Sequence, residues 1–278
     1  MLLESNMQIH IVTVATSDKL YFKALKESCK LNDVNLKILG WGMKWTGYTM
    51  KINLIREFLK TMPNNDIVVF IDAYDVLVLK NLAEIKKRFI SYDTPILFSE
   101  DIPNTIIKEY GYKKLFWGCK DNKYLCSGLY AGYVYALKLF YTELCLEYDC
   151  SDHANDQLII SRFCSSDFFT KYVKLDTENK VFLNIYSDKS PLIDNNIDLQ
   201  EVLEYDPCIV HAPGNGNLNN VVEHFNFKYT VINQNNYEFY RSKIQDYAGF
   251  FIPEFCGIVI GILAILAIII VCGIHCKK

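Results

Sequence analysis

The sequence lacks the motifs by which many nucleotide-binding and hydrolytic α/β enzymes are recognised. Its 278 residues contain no Walker P-loop and no GxGxxG, so the signatures of nucleoside triphosphatases and dinucleotide-dependent enzymes are missing. There is no GxSxG nucleophile elbow, and the CSG at 126–128 is too short to indicate a cysteine nucleophile. Any catalytic function must therefore rest on other residues.

Excess positive charge and closely spaced cysteine pairs are also missing. The formal net charge is −3, which implies no large basic surface, so no nucleic-acid partner is expected. None of the ten cysteines forms a CxxC pair, and this argues against a structural zinc site. Cys29, Cys145 and Cys164 lie in apolar, helix-like segments, where we expect small core residues.

The two ends of the chain differ in hydrophobicity. The N-terminus lacks a basic region followed by a sustained apolar run, so no signal peptide is predicted. Residues 255–274 carry no charge, and about 20 apolar residues suffice for a membrane-spanning helix. We therefore expect a single-pass, tail-anchored protein with a linker at 225–254, a transmembrane helix at 255–274 and a tail at 275–278. The main domain is expected in the cytosol, although the two terminal lysines leave the orientation open.

The first hundred residues alternate strand-like and helix-like patterns. Runs rich in β-branched residues, such as Ile9–Thr16 and Asp66–Asp72, flank segments with helical spacing, such as Ile52, Ile55 and Leu59. This alternation predicts an α/β domain with a mostly parallel mixed sheet flanked by helices, at residues 1–224. In such sheets ligands bind beyond the carboxyl ends of the strands.

Two carboxylates stand at one such strand end. Within NDIVVFIDAYDVLVL, Asp72 and Asp75 are three residues apart, so a tight turn can aim both at one point. Carboxylate oxygens suit Mg²⁺ or Mn²⁺, and His211 at another strand end would complete the set and favour Mn²⁺. Tyr74 would be free to stack on a base. The alternative reading is an ordinary strand-to-loop turn with capping aspartates.

Seven segments in the same order carry a resemblance to one family. They span roughly residues 8–218 and are TVAT, GWG with the downstream Lys51, VVFIDAYDVLV, ILFSE, SGLYAGY, DHANDQL and IVHAPGNGN. The chain resembles the glycosyltransferase domain of the multifunctional collagen lysyl hydroxylases. That resemblance implies a GT-A (Rossmann-like) fold, a UDP-sugar donor and Mn²⁺ as cofactor.

The resemblance also implies a role for individual residues. Asp72, Asp75 and His211 match the metal ligands, and Asp152 and Asp156 match the acidic catalytic residues near the sugar and the acceptor. The matched nucleotide-sugar contacts are Thr13, Val14, Ala15, Trp41, Lys51, Tyr74, Ser127, Gly128, Gln157, Gly214 and Gly216. Structural alternatives stay open, since Asp152 could cap the following helix and Gly128 could serve backbone geometry alone.

The implied function is a Mn²⁺-dependent UDP-sugar glycosyltransferase. It would transfer glucose or galactose to a hydroxyl acceptor, expected to be hydroxylysine or galactosyl-hydroxylysine of a collagen-like protein. The family's HGNGP motif, with a lysine soon after it, is replaced by HAPGNGN, and residues 217–220 supply no lysine. This departure favours the alternative of a catalytically silent, membrane-tethered module that binds a nucleotide-sugar; a third reading is a transferase acting on a lipid or surface glycan.

Two further expectations concern assembly and source. A homodimer is an open prediction for this domain. The richness in Lys, Asn, Ile and Tyr is compatible with the AT-rich genome of a large virus or a protist.

Overall fold

The computed structural model describes residues 7–103, 106–116, 119–151, 154–185 and 197–227, together with Ile260 and Leu263. Among these residues no helix is long and apolar enough to cross a membrane. The predicted span 255–274 lies outside the described residues except at those two positions, as do the tail and nearly all of the linker. These segments and the domain limits stay predictions.

Strands and helices alternate along the described chain. The first half contains β1 (Ile9–Val14), α1 (Phe22–Leu31), β2 (Leu36–Leu39), α2 (Thr49–Lys60), β3 (Ile67–Ile71), β4 (Val76–Val78), α3 (Leu82–Ser91), β5 (Ile96–Glu100) and α4 (Ile106–Leu115). The second half contains β6 (Leu125–Tyr133), α5 (Val134–Glu147), α6 (Asp156–Phe163), α7 (Asp167–Tyr172), β7 (Val173–Asp176), β8 (Phe182–Asn184), α8 (Ile197–Tyr205), β9 (Ile209–His211) and α9 (Asn219–His224).

The main sheet has six strands in the order β2-β1-β3-β6-β5-β7. The pairs β1–β2, β1–β3 and β5–β7 are parallel, whereas β6 runs antiparallel to both of its neighbours. The predicted α/β mixed sheet with flanking helices is confirmed. A second sheet, in the order β4-β9-β8, was not anticipated from the sequence.

The central strand β3 is buried on both faces. Val68 and Phe70 pack into one apolar cluster with residues of α2 and α5, while Ile67, Val69 and Ile71 pack into a second cluster with residues of α1 and α3. Alternate residues of a strand face opposite sides of the sheet, so the continuous apolar run IVVFI serves both clusters. This packing provides a rigid base for the polar residues that follow β3.

Side-chain caps start several helices. Asn81 accepts a hydrogen bond from the backbone N–H of Glu84 at the start of α3, and Asn155 accepts one from Leu158 at the start of α6. Such caps satisfy N–H groups that have no partner within the helix. The cap of α6 is thus Asn155, the role that the sequence left open for Asp152.

The cysteines differ in part from the expectation. Cys29 is buried in the core, as predicted, but Cys145 pairs with Cys150 and Cys164 pairs with Cys119 as disulfides. Cys164 belongs to the core and Cys145 packs against it, as predicted, but their pairing in disulfides was not predicted. The second pair is 45 residues apart in sequence, and such a pairing depends on tertiary proximity that spacing does not reveal.

Candidate active site

A tight turn and one antiparallel strand pair assemble an acidic corner with a histidine. Asp72 directly follows β3, and Asp75 directly precedes β4. Strand β9 pairs antiparallel with β4 so that Val76 lies opposite His211, and the N–H of Ala212 donates to the carbonyl of Asp75 at 2.9 Å. One ligand atom from each of Asp72, Asp75 and His211 lies within 4.8 Å of the others. The structure therefore brings the three predicted metal ligands together.

One carboxylate oxygen of Asp75 accepts a hydrogen bond from the loop after β9, and the other lies close to His211. Asp75 is 5% exposed, and its Oδ2 accepts the N–H of Asn215 at 2.8 Å. Its Oδ1 lies 3.3 Å from Nε2 of His211, and Oδ2 of Asp72 lies 3.9 Å from the same nitrogen. That nitrogen is buried and has no hydrogen bond of good geometry to any described residue. An unsatisfied buried polar atom is costly, so this atom indicates a missing partner.

The pKa shifts reflect the concentration of negative charge. Burial lowers the pKa of His211, but the Asp75 carboxylate, followed by Cys126, outweighs burial and holds this pKa well above its usual value. The pKa of Asp72 is raised, chiefly by burial, because the Lys51 ammonium only partly opposes it. Both shifts indicate a corner in which positive charge is favoured.

Strand β6 passes close to this corner only because it carries a glycine. A Cβ added at Gly128 would lie 2.5 Å from Oδ2 of Asp72 and 2.7 Å from Cε1 of His211. The carbonyl of Gly128 also accepts the N–H of Asp72 at 2.8 Å. The observed role of Gly128 is thus close approach of the backbone, the alternative that the sequence left open.

A buried lysine joins the acidic corner to a second carboxylate. Nζ of Lys51, on α2, lies 2.6 Å from Oδ2 of Asp156 and 3.1 Å from Oδ1 of Asp72. Burial lowers the pKa of Lys51, but the two aspartates outweigh it and raise this pKa above its usual value. Ser127 donates its hydroxyl to the same oxygen of Asp156 at 3.3 Å. The predicted residues Lys51, Ser127 and Asp156 therefore form one cluster beside the metal-ligand candidates.

Gln157 holds two elements together. Its Oε1 accepts the N–H of Ser127 at 2.7 Å, and its Nε2 donates to the carbonyl of Leu125 at 2.6 Å and to Ser161 at 3.1 Å. Both ends of the amide are thus engaged within the protein. Gln157 therefore links α6 to β6. This link holds Ser127 on β6 close to Asp156 on α6.

The predicted contact residues 13–15, at the end of β1 and directly after it, have buried side chains. Thr13, Val14 and Ala15 are 0%, 4% and 1% exposed, and the N–H of Ala15 donates to the carbonyl of Leu39. Their side chains are buried because both faces of the sheet are covered, with Val14 in one apolar cluster and Ala15 in the other. Only backbone atoms of this segment are therefore left for contact with a ligand.

An aromatic group lies next to the end of β1. The hydroxyl of Tyr74 accepts the backbone N–H groups of Thr16 and Ser17 at 3.1 and 3.4 Å. Its ring is 6.2 Å from that of Phe22, which stacks on Trp41 at 5.3 Å. Trp41 is 53% exposed. Tyr74 and Trp41 therefore share Phe22 as a neighbour, a residue that sequence reasoning missed because its apolar helical position indicates only core.

The two glycines of the HAPGNGN loop differ in their surroundings. Gly214 has a φ of +71° with open space around it, whereas a Cβ at Gly216 would lie 2.7 Å from Cβ of Ala212. The N–H of Gly216 also donates to the carbonyl of Ala212 at 2.7 Å. This compact turn presents the N–H of Asn215 to Asp75. The remaining predicted catalytic residue, Asp152, lies outside the described residues.

Comparison with known proteins assigns the family. Residues 5–236 match the family model described as the PLOD GT domain. The chain belongs to the PLOD GT domain family. The resemblance found from the seven sequence segments is thereby confirmed, and the protein is a glycosyltransferase of the PLOD GT type.

Curated relatives from animals are identical to this chain at about a quarter of the aligned residues. It is 28% identical over 234 residues to procollagen-lysine,2-oxoglutarate 5-dioxygenase of Drosophila melanogaster, an alignment that covers 75% of this chain and 31% of the relative. It is 25% identical over 201 residues to the multifunctional procollagen lysine hydroxylase and glycosyltransferase of Caenorhabditis elegans, covering 64% and 26%. The chain thus spans less than a third of the length of these relatives.

Solved structures of other glycosyltransferases are more distantly similar. The galactosyltransferase LgtC in complex with donor and acceptor sugar analogues is 14% identical, with a TM-score of 0.46 over 74% of this chain and 87% of that one. Mouse xyloside xylosyltransferase 1 is 10% identical, with a TM-score of 0.40 over 76% and 99%.

Proposed function

We propose that the chain is a GT-A type hexosyltransferase that moves glucose or galactose from a UDP-sugar to a hydroxyl acceptor with the help of Mn²⁺. The observation that carries the proposal is the convergence of Asp72, Asp75 and His211 within 4.8 Å, beside the ion-paired cluster of Lys51 and Asp156. Membership of a glycosyltransferase domain family supports the reaction class.

The residues of the corner fit a divalent metal ion. Two carboxylates and one imidazole form a donor set for which Mn²⁺ is well suited, since the nitrogen ligand disfavours Mg²⁺. The buried Nε2 of His211 lacks a hydrogen-bond partner among described residues, and Gly128 leaves room where a Cβ would collide with two of the ligands. A metal ion bound there would neutralise charge on a departing nucleoside diphosphate.

The remaining residues of the site would bind and orient the substrates. The half-buried ring of Tyr74 and the exposed ring of Trp41 offer surfaces for the uracil base beside the end of β1. Asp156 is held in place by Lys51 and Ser127, so its carboxylate is fixed where the sugar or the acceptor hydroxyl is expected. Together with Asp152, it is proposed to orient the acceptor or take its proton.

The relatives supply the proposed acceptor. Their names describe them as acting on procollagen lysine, which supports hydroxylysine or galactosyl-hydroxylysine in a collagen-like protein as the acceptor class. A lipid or surface glycan is the competing acceptor if the apolar segment 255–274 anchors the chain.

The disulfides bear on the proposed location. Stable disulfides are typical of oxidising compartments and rare in the cytosol, and the domain contains Cys119–Cys164 and Cys145–Cys150. We therefore propose that a membrane-anchored chain would hold its catalytic domain on the oxidising side, in place of the cytosolic location expected from a tail anchor. Mass spectrometry of non-reduced peptides from cells tests this, since free thiols at these four positions would contradict it.

Transfer assays with the purified chain test the function. UDP-glucose and UDP-galactose are each offered with hydroxylysine and galactosyl-hydroxylysine peptides, with and without Mn²⁺. We expect Mn²⁺-dependent transfer that Asp75→Ala abolishes, because a ligand oxygen is lost, while Asp167→Ala on the exposed first turn of α7 keeps wild-type activity. Full transfer by Asp75→Ala would contradict the proposal, and UDP-sugar binding without turnover would favour the silent module.

A further inference from the structure

The side chain that faces the other nitrogen of His211 belongs to an asparagine outside every predicted set. Asn184 ends β8, which pairs parallel with β9 so that Asn184 lies opposite His211. Its Oδ1 is 2.9 Å from Nδ1 of His211, and its Nδ2 is 2.7 Å from the carbonyl oxygen of Glu100. The asparagine is 9% exposed and the histidine 1%.

These two contacts determine which way the amide points. The carbonyl of Glu100 can only accept a hydrogen bond, so it must face the NH₂ group of Asn184. The amide oxygen then faces His211 and can only accept, so Nδ1 of the imidazole must carry a proton and donate it. The orientation follows from the backbone carbonyl and does not depend on a free choice of amide flip.

From this chain of contacts we infer that Asn184 is a positioning residue that holds His211 with Nδ1 protonated and the Nε2 lone pair directed at the acidic corner. Nε2 lies 3.3 Å from Asp75 and 3.9 Å from Asp72, where a metal ion would need that lone pair. Hydrogen bonds to the second nitrogen of a ligating histidine fix its tautomer and ring orientation in this way. The inference rests on the proposed metal site and goes beyond its three ligands.

The other neighbour of Nδ1 is a poorer partner. The Sγ atom of Cys126 lies 3.6 Å from Nδ1, and sulfur accepts hydrogen bonds weakly. Among the described residues, Asn184 therefore provides the stronger contact that selects the tautomer.

Mn²⁺ affinity tests the inference without reference to activity. Electron paramagnetic resonance of free Mn²⁺ gives the affinity of the full chain, of Asn184→Leu and of Asn184→Asp. We expect Asn184→Leu to weaken binding roughly 10- to 100-fold, the usual cost of losing such a partner. Asn184→Asp should recover part of that affinity, because one carboxylate oxygen still accepts from Nδ1–H while the other faces the carbonyl of Glu100. Asn64→Leu, on the exposed turn before β3, is the matched control and should bind as wild type.

Nitrogen NMR reads the tautomer directly. In the chain loaded with Zn²⁺, a diamagnetic ion that binds imidazole alongside carboxylates, and carrying ¹⁵N-labelled histidine, the signal absent from His211→Gln is assigned to His211. We expect a protonated Nδ1 and an unprotonated Nε2. The opposite tautomer would overturn the inference, and this reading needs no Asn184 variant, so it stands even if Asn184→Leu fails to fold.

The outcomes separate this inference from the proposed function. Failure of the wild-type chain to bind Mn²⁺ would overturn the metal site and the inference together. Metal binding by the wild-type chain together with unchanged affinity in a folded Asn184→Leu would overturn the role of Asn184 alone.

Discussion

Asp75 and Asp156 are buried to the same extent, at 5% and 4% exposure, but they differ in the source of the positive charge that compensates them. Asp156 faces the ammonium of Lys51 at 2.6 Å, a cation that the chain itself supplies. Among the described residues, no lysine or arginine forms a salt bridge with Asp75, whose neighbours are Asp72 and His211. A buried charge needs a partner, so the corner around Asp75 depends on a proton or a metal ion.

The difference separates a permanent part of the site from an exchangeable one. The charge of Asp156 is compensated within the chain by Lys51, which suits a carboxylate that orients substrates. The corner of Asp72, Asp75 and His211 suits a metal ion that arrives from solution. Lys51 contacts Asp72 as well as Asp156, so it forms the boundary between the two parts.

The largest expected effect comes from removing the internal cation. Lys51→Met leaves the buried Asp156 unpaired, and breaking such a pair typically costs about 3–5 kcal/mol. Chemical denaturation should therefore show a large loss in the free energy of unfolding. The double variant Lys51→Met/Asp156→Asn should recover part of that loss, because the orphaned charge is removed. Equal stabilities of wild type and Lys51→Met would contradict the claim that Lys51 compensates the buried charge of Asp156.

A smaller effect is expected from filling the space beside the exchangeable corner. Gly128→Ala places a methyl group against Asp72 and His211, so Mn²⁺ affinity should fall by about tenfold or more. Gly132→Ala on the same strand is the control, because its Cβ would meet Leu137 and Ile96 at 3.0–3.1 Å in the core. The control should lose roughly 1–3 kcal/mol of stability from overpacking yet bind Mn²⁺ normally. Undiminished affinity of a folded Gly128→Ala would count against a metal ion at this corner.

The smallest effect is expected at Asp206, an exposed carboxylate. Solvent screens its charge, in contrast to the charges of the buried Asp75 and Asp156. Hydrogen bonds from Lys80 and Arg88 lower the pKa of Asp206, whose side chain is 59% exposed. A lowered pKa stabilises the fold at pH values above the unfolded value near 4, and this contribution is lost as pH falls through the folded pKa. Asp206→Asn, which also tolerates the positive φ of 48° at this position, should cost about 0–1 kcal/mol at pH 7, and the difference from wild type should vanish in strong acid. A cost of several kcal/mol would show that exposure does not explain the comparison.

The three candidate metal ligands, Asp72, Asp75 and His211, could be predicted from the sequence because each lies at the end of a strand-like run or directly beside one. Lys51 and Asp156 lie on α2 and α6, and only the resemblance to the family grouped them with these ligands. The partners of those residues could not be predicted in the same way. Gln157 and Asn184 act through hydrogen bonds to backbone atoms of β6 and β5, and those contacts depend on strand register.

The sequence did not show which groups of the segment TVAT a ligand could reach. The side chains of Thr13, Val14 and Ala15 are buried, with Val14 and Ala15 in the apolar clusters on opposite faces of the sheet. A polar residue such as Thr13 in a strand does not reveal which face it occupies until the neighbouring strands are known.

Anomalous diffraction at the manganese absorption edge, from crystals soaked with Mn²⁺ and UDP, tests the central claim most directly. The account predicts one strong peak within bonding distance of Asp72, Asp75 and Nε2 of His211, with Lys51 still paired to Asp156. A manganese peak elsewhere on the protein, or none at saturating Mn²⁺ and UDP, would contradict it.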